Sequence, residues 1–538
     1  MATALPARSV TRATYLRTTS IVTATAHRQL CARREIWRVV GGQRMASTAS
    51  DITTVATDGK SSGGKERVVI LGSGWAGYAF ARTLDPRKYE RIMISPRSYF
   101  VFTPLVAGTA AGTLEFRAVI ESVRRLNLDD FYQGWADDVD FGRKVVRVEA
   151  NTSDDVAGRT RAQLAPHRPG TTEIEKGPMF DVQYDKLVIA VGAYTQTFGI
   201  EGVKEYANFL RNVGDARRVR IKILQCFEKA SLPITTDEER HKLLHFAIVG
   251  GGPTGIEFAA ELHDLIQEDL RKTYPQLYRF VNITVYDVAP KVLPMFDQKL
   301  AQYAMDTLKR ARVKVKTEHH LTRIRRDEDC AGCLKLRFKE YGEEEVVAGI
   351  VVWSTGLMQN PLVKKLASQT VEQGAALSGT GDKVIQLQKD VKTGGLVTDD
   401  RLRVMAVSQA KAGTAEQSEQ DVALVPDVFS IGDCAVVEGE RYPATAQVAS
   451  QQATYLAKSL NKGTLEEKPF RFTNWGVMTY LGSWRAIHQS SADELTGRAA
   501  WFLWRTAYLT KSMSIRNKIM VPVYWFISWV FGRDISRF

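Results

Sequence analysis

Long apolar runs are missing from this 538-residue sequence. The most apolar stretch, residues 519–531, has 13 residues and contains Pro522, whereas a helix that spans a membrane needs about 20 apolar residues. We therefore expect no membrane-spanning helix and no path for proton pumping. The first fifty residues lack the apolar core of a secretory signal, which excludes that kind of leader.

Cysteine is also scarce, with five residues in the chain. Their spacing fits neither a disulfide framework nor the paired ligands of a zinc site, so we expect no bound metal. One CxxC motif, Cys330-Ala-Gly-Cys333, lies in a polar stretch without a second pair of ligands. The sequence predicts a loop with two free thiols at this position.

Acidic residues are nearly absent from both ends of the chain. Residues 1–50 carry eight arginines against one acid, and residues 498–538 carry seven basic residues against one acid. Together the two ends account for the whole net charge of +13, so the body between them is balanced and a nucleic-acid-binding surface has no support. The Arg-, Ser-, Thr- and Ala-rich first fifty residues are typical of a mitochondrial transit peptide. A merely disordered basic tail is the alternative.

Two glycine-rich segments stand out, RVVILGSGWAGYAFARTL at 67–84 and FAIVGGGPTGIEFAAEL at 246–262. Each follows an apolar strand pattern and opens a helical one, the order found where dinucleotides bind. In such a finger the first glycine permits a tight turn, the second lets the backbone approach a pyrophosphate, and the third allows close helix–strand packing. The N-terminus of the helix then offers free N–H groups to the phosphates. The glycines are Gly72, Gly74 and Gly77 in the first finger and Gly250, Gly252 and Gly255 in the second.

The residue that follows the next strand differs between the two units. Asp287 closes the second unit, where a carboxylate binds a free ribose diol and repels a 2′-phosphate, so the sequence favours NADH over NADPH. The first unit ends instead in Ser95, Pro96 and Arg97. The usual acidic clamp for the FAD ribose is therefore absent there, while the phosphate cradle remains.

The pattern after each finger repeats as well. The apolar strands of residues 186–193 and 346–356 both end in a small-residue turn, and residues 427–433 form a further strand that ends at Asp433. We expect β-hairpins around 130–183, a helix-rich connector at 203–243 and a long loop within 366–420. A chain that binds FAD on one finger and NADH on the other can place the nicotinamide against the isoalloxazine, which allows hydride transfer.

The predicted fold class is α/β, with two Rossmann-like dinucleotide-binding domains in tandem and a C-terminal amphipathic membrane-anchoring region. The predicted segments are a transit peptide at 1–50, an FAD-binding domain at 66–240 and 361–465, an NADH-binding domain at 241–360, and a C-terminal membrane-anchoring and dimerisation region at 466–538.

Several motifs carry a resemblance to a known family. They are ISPRSYFVFTPL (94–105), GGGPTGIEFAAEL (250–262), VLPMFD (292–297), FSIGDCA (429–435), TAQVASQQATYLAK (445–458), MTYLGSWRAI (478–487) and GRDISRF (532–538). In this order, from about residue 66 to the end, the chain resembles the mitochondrial type II, or alternative, NADH dehydrogenases. The resemblance implies FAD and NADH as cofactors, ubiquinone as electron acceptor, a peripheral place on the inner membrane and a homodimer formed through the C-terminal region.

The resemblance also implies roles for individual residues. Gln447 and Gln451 lie four apart and share a helix face; their amides are expected beside the flavin and the quinone headgroup, or else they are ordinary polar residues at a helix start. Glu257 either assists proton delivery to the reduced quinone or stabilises the helix dipole. Expected FAD contacts are Gly72, Gly74, Gly77, Ser95, Arg97, Thr103, Gly192, Asp433, Ala446 and Gln447. Expected NADH contacts are Gly250, Gly252, Gly255, Glu257, Asp287 and Gly356.

The C-terminal tail interleaves aromatic and basic residues. Such a pattern predicts helices that lie in the membrane surface, although a dimer or core helix shows the same features. The aromatic residues are Trp501, Phe502, Trp504, Tyr508, Tyr524, Trp525, Phe526, Trp529 and Phe531.

Rival functions remain open at this stage. A soluble NADH-dependent reductase with a redoxin partner and an NADH-sensing flavoprotein of the apoptosis-inducing-factor type share the fold. Disulfide reductases need a cysteine pair just beyond the first finger, which is absent, and a sulfide:quinone oxidoreductase needs redox cysteines where only Cys434 is available. Residues 380–395 lack the ligand order of a calcium loop, so we expect no control by calcium. The motifs leave open which face of the membrane carries the protein.

Overall fold

The computed structural model describes residues 64–151, 177–372, 384–409, 422–511 and 514–537. The predicted transit peptide at 1–50 lies outside this part of the chain. The described residues form the predicted α/β fold: two sheets with parallel strands, each bearing one glycine finger, and a C-terminal region with one small sheet and two helices.

Five parallel strands form the centre of the first sheet. In spatial order they are β23 (Val422–Ser430), β8 (Lys186–Ile189), β1 (Glu66–Leu71), β2 (Tyr89–Ser95) and β5 (Asp130–Asp140). The last four side chains of β1 are fully buried because both faces of the sheet are covered, which explains its continuous apolar run. Antiparallel strands extend this sheet at both edges. Beyond β5 lie β6 (Val145–Ala150) and β7 (Met179–Gln183), and beyond β23 lie β22 (Arg403–Gln409), β20 (Val384–Leu387) and β19 (Thr370–Glu372). A further strand, β21 (Leu396–Thr398), pairs with β22 and with β24 (Ala435–Val437).

Helix α1 (Trp75–Thr83) starts directly after the first finger and packs against α10 (Ala446–Lys462). Buried alanines on both helices, Ala76, Ala79, Ala449 and Ala453, let them approach closely. Helix α10 begins at Thr445, whose hydroxyl accepts the N–H of Val448 and so caps the first turn. This packing places the start of α10 beside the turn that follows β23.

The second sheet is parallel throughout. Its spatial order is β10 (Asn208–Phe209), β17 (Ile350–Trp353), β11 (His245–Val249), β12 (Asn282–Tyr286) and β13 (Val313–Lys316). The carboxyl ends of β11, β12 and β17 therefore meet at one edge, where the second finger lies.

Helix α6 (Pro253–Leu265) opens with a proline in its first turn, a position where the missing N–H breaks no helical bond. It continues through a π-helical turn at Ile266–Leu270 into α7 (Arg271–Thr273). These extra turns account for the long interval between the second finger and Asp287. The remaining helices before the tail are α2 (Val106–Ala110), α3 (Val203–Tyr206), α4 (Val213–Ser231), α5 (Asp237–Leu243), α8 (Gln298–Arg310) and α9 (Pro361–Ser368).

Smaller sheets complete the two domains. One pairs β9 (Ala193–Thr195) with β18 (Leu357–Gln359), and since β9 follows β8 and β18 follows β17, this pair joins the two domains. The others are β3 (Tyr99–Val101) with β4 (Ile120–Ser122), and β14 (Leu321–Arg326), β15 (Leu334–Phe338) and β16 (Glu345–Ala348).

The C-terminal region comprises β25 (Val477–Gly482), β26 (Arg485–Gln489), β27 (Glu494–Thr496), α11 (Gly497–Lys511) and α12 (Ile515–Phe531). Helix α12 buries Asn517, Val521 and Trp525, which lie four residues apart, against the body. Its other side exposes a stripe of large apolar residues: Ile515, Ile519, Val523, Phe526, Ile527, Trp529, Val530 and Phe531. None of the helices described here has the length and apolarity needed to cross a bilayer.

One prediction from the sequence was wrong. Cys330 and Cys333 are joined by a disulfide and are buried in a hydrophobic core cluster, so they are not free thiols in an open loop. The polar sequence around them does not reveal this burial. The described parts of 366–420 form the end of α9 and strands β19 to β22. The long loop expected within this stretch stays a prediction, because residues 373–383 and 410–421 lie outside the described part of the chain.

Candidate functional site

The first finger has the geometry of a phosphate cradle. Gly72 has a φ of +106°, and a Cβ there would lie 2.4 Å from the Ala190 carbonyl oxygen. A Cβ on Gly77 would lie 2.0 Å from the Gly72 oxygen, whereas one on Gly74 meets no atom within 4 Å. The first and third glycines are thus required by the protein's own packing. The second faces open space, which is the space that a pyrophosphate needs.

The second finger repeats this arrangement. Gly250 has a φ of +117° and little room beside Ser354, and a Cβ on Gly255 would lie 1.9 Å from the Gly250 oxygen. Around Gly252 there is again no atom within 4 Å of an added Cβ. Both cradles therefore fit a dinucleotide.

Asp287 follows β12 directly and faces the second finger. Its carboxylate accepts the backbone N–H of Gly251 and, at 2.7 Å, that of Ala289. The acid predicted to bind the ribose is therefore held against the cradle by the finger's own backbone. Gly356, after β17, has a φ of +75° that suits glycine.

The residues predicted to contact FAD converge around the end of the first sheet. The Ser95 hydroxyl, after β2, lies 2.8 Å from that of Ser73 in the first finger, and Thr103 accepts a bond from the Trp75 indole. Gly192 follows β8 with a φ of +65°. Ala446 and Gln447 form the first turn of α10.

Asp433 lies in the turn after β23. Burial raises its pKa, and the charge of Arg211 opposes that rise. The Arg211 guanidinium donates to the Ala193 carbonyl at 2.7 Å, and the charge of Arg97 acts on it. A cavity of about 210 Å³ adjoins Asp433 and extends to Leu357 of β18. The cavity and Arg211, which bonds to β9, therefore lie at the junction of the two domains.

A second cluster lies on one face of α6. Glu257, Glu261 and Asp264 are all buried there, at helical positions i, i+4 and i+7. Glu257 accepts bonds from the Tyr480 N–H at 3.2 Å and from the Trp504 indole at 3.4 Å. The carboxylate thus contacts the C-terminal region, which the sequence did not indicate.

The neighbouring carboxylates have partners from other elements. Glu261 accepts a 2.5 Å bond from Thr113, and Asp264 accepts a 2.6 Å bond from the Tyr480 hydroxyl. A cavity of about 10 Å³ lies between Glu257, Glu261 and the ring of Trp525. Such a volume is near the minimum that holds one water molecule.

Burial raises the pKa of Glu257 to about 8, although the Tyr480 and Trp504 hydrogen bonds act in the opposite direction. Burial also raises the pKa of Glu261. Glu257 is therefore protonated at neutral pH and placed to give up a proton near physiological pH.

We expect Glu257→Gln to change how stability depends on pH. Between the pKa of an unfolded glutamate and about 8, the unfolded chain has lost a proton that the folded protein retains. The free energy of unfolding of the unchanged protein therefore falls as pH rises, by up to about 1.4 kcal/mol per pH unit from this group. Denaturation at pH 5 and at pH 8 measures this. The free energy of unfolding of Glu257→Gln, relative to that of the unchanged protein, should be higher at pH 8 than at pH 5. The exposed Glu344→Gln is the control; a Glu257→Gln difference that is constant with pH would contradict the expectation.

Gln447 and Gln451 share a face of α10, as predicted. Gln447 bonds to the Trp475 N–H at 3.0 Å and the Gly476 carbonyl at 3.3 Å. Gln451 bonds to the N–H and the carbonyl of Thr473, at 2.9 and 2.8 Å. Each amide therefore already has a donor and an acceptor partner in the backbone of residues 473–476.

The chain matches known proteins over most of its length. Residues 66–453 match the family model described as pyridine nucleotide-disulphide oxidoreductase, and residues 475–534 match that of the NDH2 C-terminal domain. A probable NADH dehydrogenase of Dictyostelium discoideum is 37% identical, over 88% of this chain and 91% of that protein. The external alternative NAD(P)H-ubiquinone oxidoreductase B3 of Arabidopsis thaliana, a mitochondrial protein, is 32% identical, over 88% and 90%. The chain belongs to the alternative NADH-ubiquinone oxidoreductases.

A solved structure shows the same fold. NDH2 from Plasmodium falciparum in complex with NADH superposes with a TM-score of 0.69 at 24% identity, covering 88% of this chain and all of that one. The family models and the relatives confirm the resemblance of the sequence to the alternative NADH-ubiquinone oxidoreductases, and this structure confirms the fold.

Sequence reasoning missed several residues of this oxidoreductase. Glu261 had a visible signal, since it lies four residues after Glu257 on the same helix. The other missed residues had no local signal, because their partners lie far away in the chain; they are Thr113, Arg211, Trp475 and Tyr480.

Proposed function

We propose that this chain oxidises NADH and reduces ubiquinone, with FAD bound on the first finger and NADH on the second. The carrying observation is the pair of phosphate cradles, one in each domain, in a chain of this family. Bound FAD supplies the acceptor for the hydride and the donor for the quinone. The net reaction converts NADH, one proton and the quinone to NAD⁺ and the quinol. The redoxin reductase and the sensing flavoprotein are not favoured.

The chain's own residues bind and orient the cofactors. Gly74 and Gly252 leave the space for each pyrophosphate, and Asp287 accepts the ribose hydroxyls of NADH. Asp433 and Arg211 bind FAD near the end of the first sheet.

Glu257 supplies the proton that the reaction takes up. It is protonated at neutral pH, and the small cavity beside it leads to Glu261. Gln447 and Gln451 hold the backbone of residues 473–476 by hydrogen bonds and so position the surface that faces the quinone. Carboxyl groups of this kind are suited to proton transfer because their pKa lies close to the working pH.

The C-terminal region attaches the protein to a membrane. The stripe exposes eight large apolar side chains of α12, a kind of patch that marks membrane or protein contacts. Basic residues within the helix and after it, such as Lys518 and Arg537, favour anionic lipid. The protein is mitochondrial, like its relatives, and we place it on the surface of the inner membrane as a homodimer formed through the C-terminal region.

Steady-state turnover with ubiquinone-1 and either NADH or NADPH tests the function. We expect turnover with NADH and a kcat/KM at least about a hundredfold lower with NADPH, because Asp287 repels a 2′-phosphate. Asp287→Ser should narrow that gap, while the exposed Asp493→Ser should not. Flavin reduction by NADH without any quinone turnover would favour the sensing flavoprotein, and equal kcat/KM for both cofactors would contradict the role of Asp287.

A further inference from the structure

The segment Thr473 to Gly476 is held by the two glutamines of α10. Four hydrogen bonds of 2.8 to 3.3 Å connect Gln447 and Gln451 to its backbone. The segment has no regular secondary structure of its own and leads into β25. The glutamines therefore fix its position relative to the start of α10, which lies beside the turn of Asp433.

The held segment presents one large side chain, that of Trp475, which is 51% exposed. The Lys511 ammonium lies 3.4 Å from the centroid of its ring. Burial lowers the pKa of Lys511, and no carboxylate within the described part of the chain acts on this pKa. The pair thus offers an aromatic surface and a cation whose N–H donors have no acidic partner.

The position of Lys511 on α11 connects this pair with Glu257. Trp504, Tyr508 and Lys511 lie at i, i+4 and i+7 and therefore share one helix face. Trp504 bonds to Glu257 and contacts Tyr508 with ring centroids 5.0 Å apart. Along the helix axis, Lys511 lies about 10 Å from Trp504. One continuous face of α11 therefore runs from the exposed pair to the buried carboxyl.

We propose that Trp475 and Lys511 form the docking site for the quinone headgroup, an inference that rests on the proposed function. The Lys511 ammonium covers one face of the indole and donates a hydrogen bond to a quinone carbonyl, and the quinone ring contacts the indole at its edge. A quinone is planar, uncharged and rich in acceptors, and it gains negative charge on reduction, so an aromatic surface and a cation suit both states. Gln447 and Gln451 are positioning residues that act through the segment 473–476.

Binding of ubiquinone-1 to the full-length, FAD-loaded protein tests this site. Its short tail keeps affinity for lipid out of the measurement. We expect Lys511→Met and Trp475→Leu each to raise the Kd and the KM about tenfold, the effect of one charge-assisted bond or one well-packed ring. The rate of flavin reduction by NADH should stay within twofold of the unchanged protein.

Matched controls come from outside the tail. Lys364→Met removes an exposed cation and Ile234→Ser an exposed apolar side chain, and neither should change the Kd for ubiquinone-1. Gln447→Leu should raise the KM for ubiquinone-1 about as much as Lys511→Met does. The variant that carries both substitutions should show a smaller rise in KM than the product of the two single rises, because both residues act on one surface.

The possible failures are distinguishable. If the unchanged protein does not reduce ubiquinone-1, the proposed function falls. If it does, while Lys511→Met and Trp475→Leu behave like the controls, the docking site is wrong and the function stands. A loss of binding to anionic vesicles with an unchanged Kd for ubiquinone-1 would assign the pair to lipid headgroups and overturn the proposal.

Discussion

Gly74→Val is expected to give a folded protein that contains almost no flavin. A Cβ at Gly74 meets no protein atom within 4 Å, so the substitution costs little in the packing of the first domain. The valine side chain occupies the space through which the FAD pyrophosphate approaches the backbone. We expect the flavin-to-protein ratio to fall to less than about a tenth of the unchanged value, measured after acid precipitation. We expect FAD to be bound without a covalent link, so acid precipitation of the unchanged protein should release FAD to the supernatant.

Gly252→Val is the matched control in the second finger. An added Cβ there also meets no protein atom within 4 Å, but the blocked cradle belongs to NADH. This variant should keep its flavin and lose rapid flavin reduction by NADH. The pair therefore assigns each finger to its cofactor. Full flavin content in Gly74→Val, or a rate of flavin reduction by NADH that is unchanged in Gly252→Val, would contradict the assignment.

Replacing Ile519, Phe526 and Trp529 by serine is expected to release the protein from membranes. All three belong to the exposed stripe of α12, and each buried side chain of this size contributes about 1.5 to 3 kcal/mol in an apolar phase. Their loss should lower the partition onto liposomes by at least about a hundredfold. Flotation of the full-length protein with liposomes of mixed neutral and anionic lipid measures this.

Salt separates the two components of membrane binding. Basic residues near an anionic surface contribute about 1 kcal/mol each, and this part weakens with salt, while the apolar part does not. High salt should therefore weaken the binding of the unchanged protein without abolishing it. Ile234→Ser, which alters an 85% exposed apolar residue outside the tail, is the control.

Three outcomes would contradict this picture of the tail. Complete release at moderate salt would mean a purely electrostatic contact, and retention after alkaline carbonate would mean insertion deeper than the surface. Full flotation of the triple variant together with loss of its dimer would assign the stripe to the subunit interface instead.

The two fingers were predictable from the sequence because their geometry is local. A positive φ at Gly72 and Gly250 and the lack of room at Gly77 and Gly255 depend on residues that the strand and the helix place beside them. Asp287 was predictable for the same reason, since it follows the strand next to the finger. The periodicity of apolar residues in turn predicted the parallel strands and the helices that follow them.

The chemistry around the quinone depended on contacts between residues far apart in the sequence. Burial in the packed chain raises the pKa of Glu257, and the hydrogen bonds from Tyr480 and Trp504 of the C-terminal region partly oppose that rise. The side chains of Gln447 and Gln451 share a predictable helix face, but their partners at 473–476 lie beyond the end of α10. No pattern in the sequence indicated these partners.

The sequence by itself determined the two cofactor cradles, the preference expected at Asp287 and the absence of a spanning run, because turns and periodicity act over a few residues. The tertiary structure alone decided that Cys330 and Cys333 form a disulfide, that Glu257 is buried beneath the tail and that Lys511 lies over Trp475. Burial and charge pairing are properties of the packed chain, and they arise only when segments separated by tens or hundreds of residues exclude water from one another.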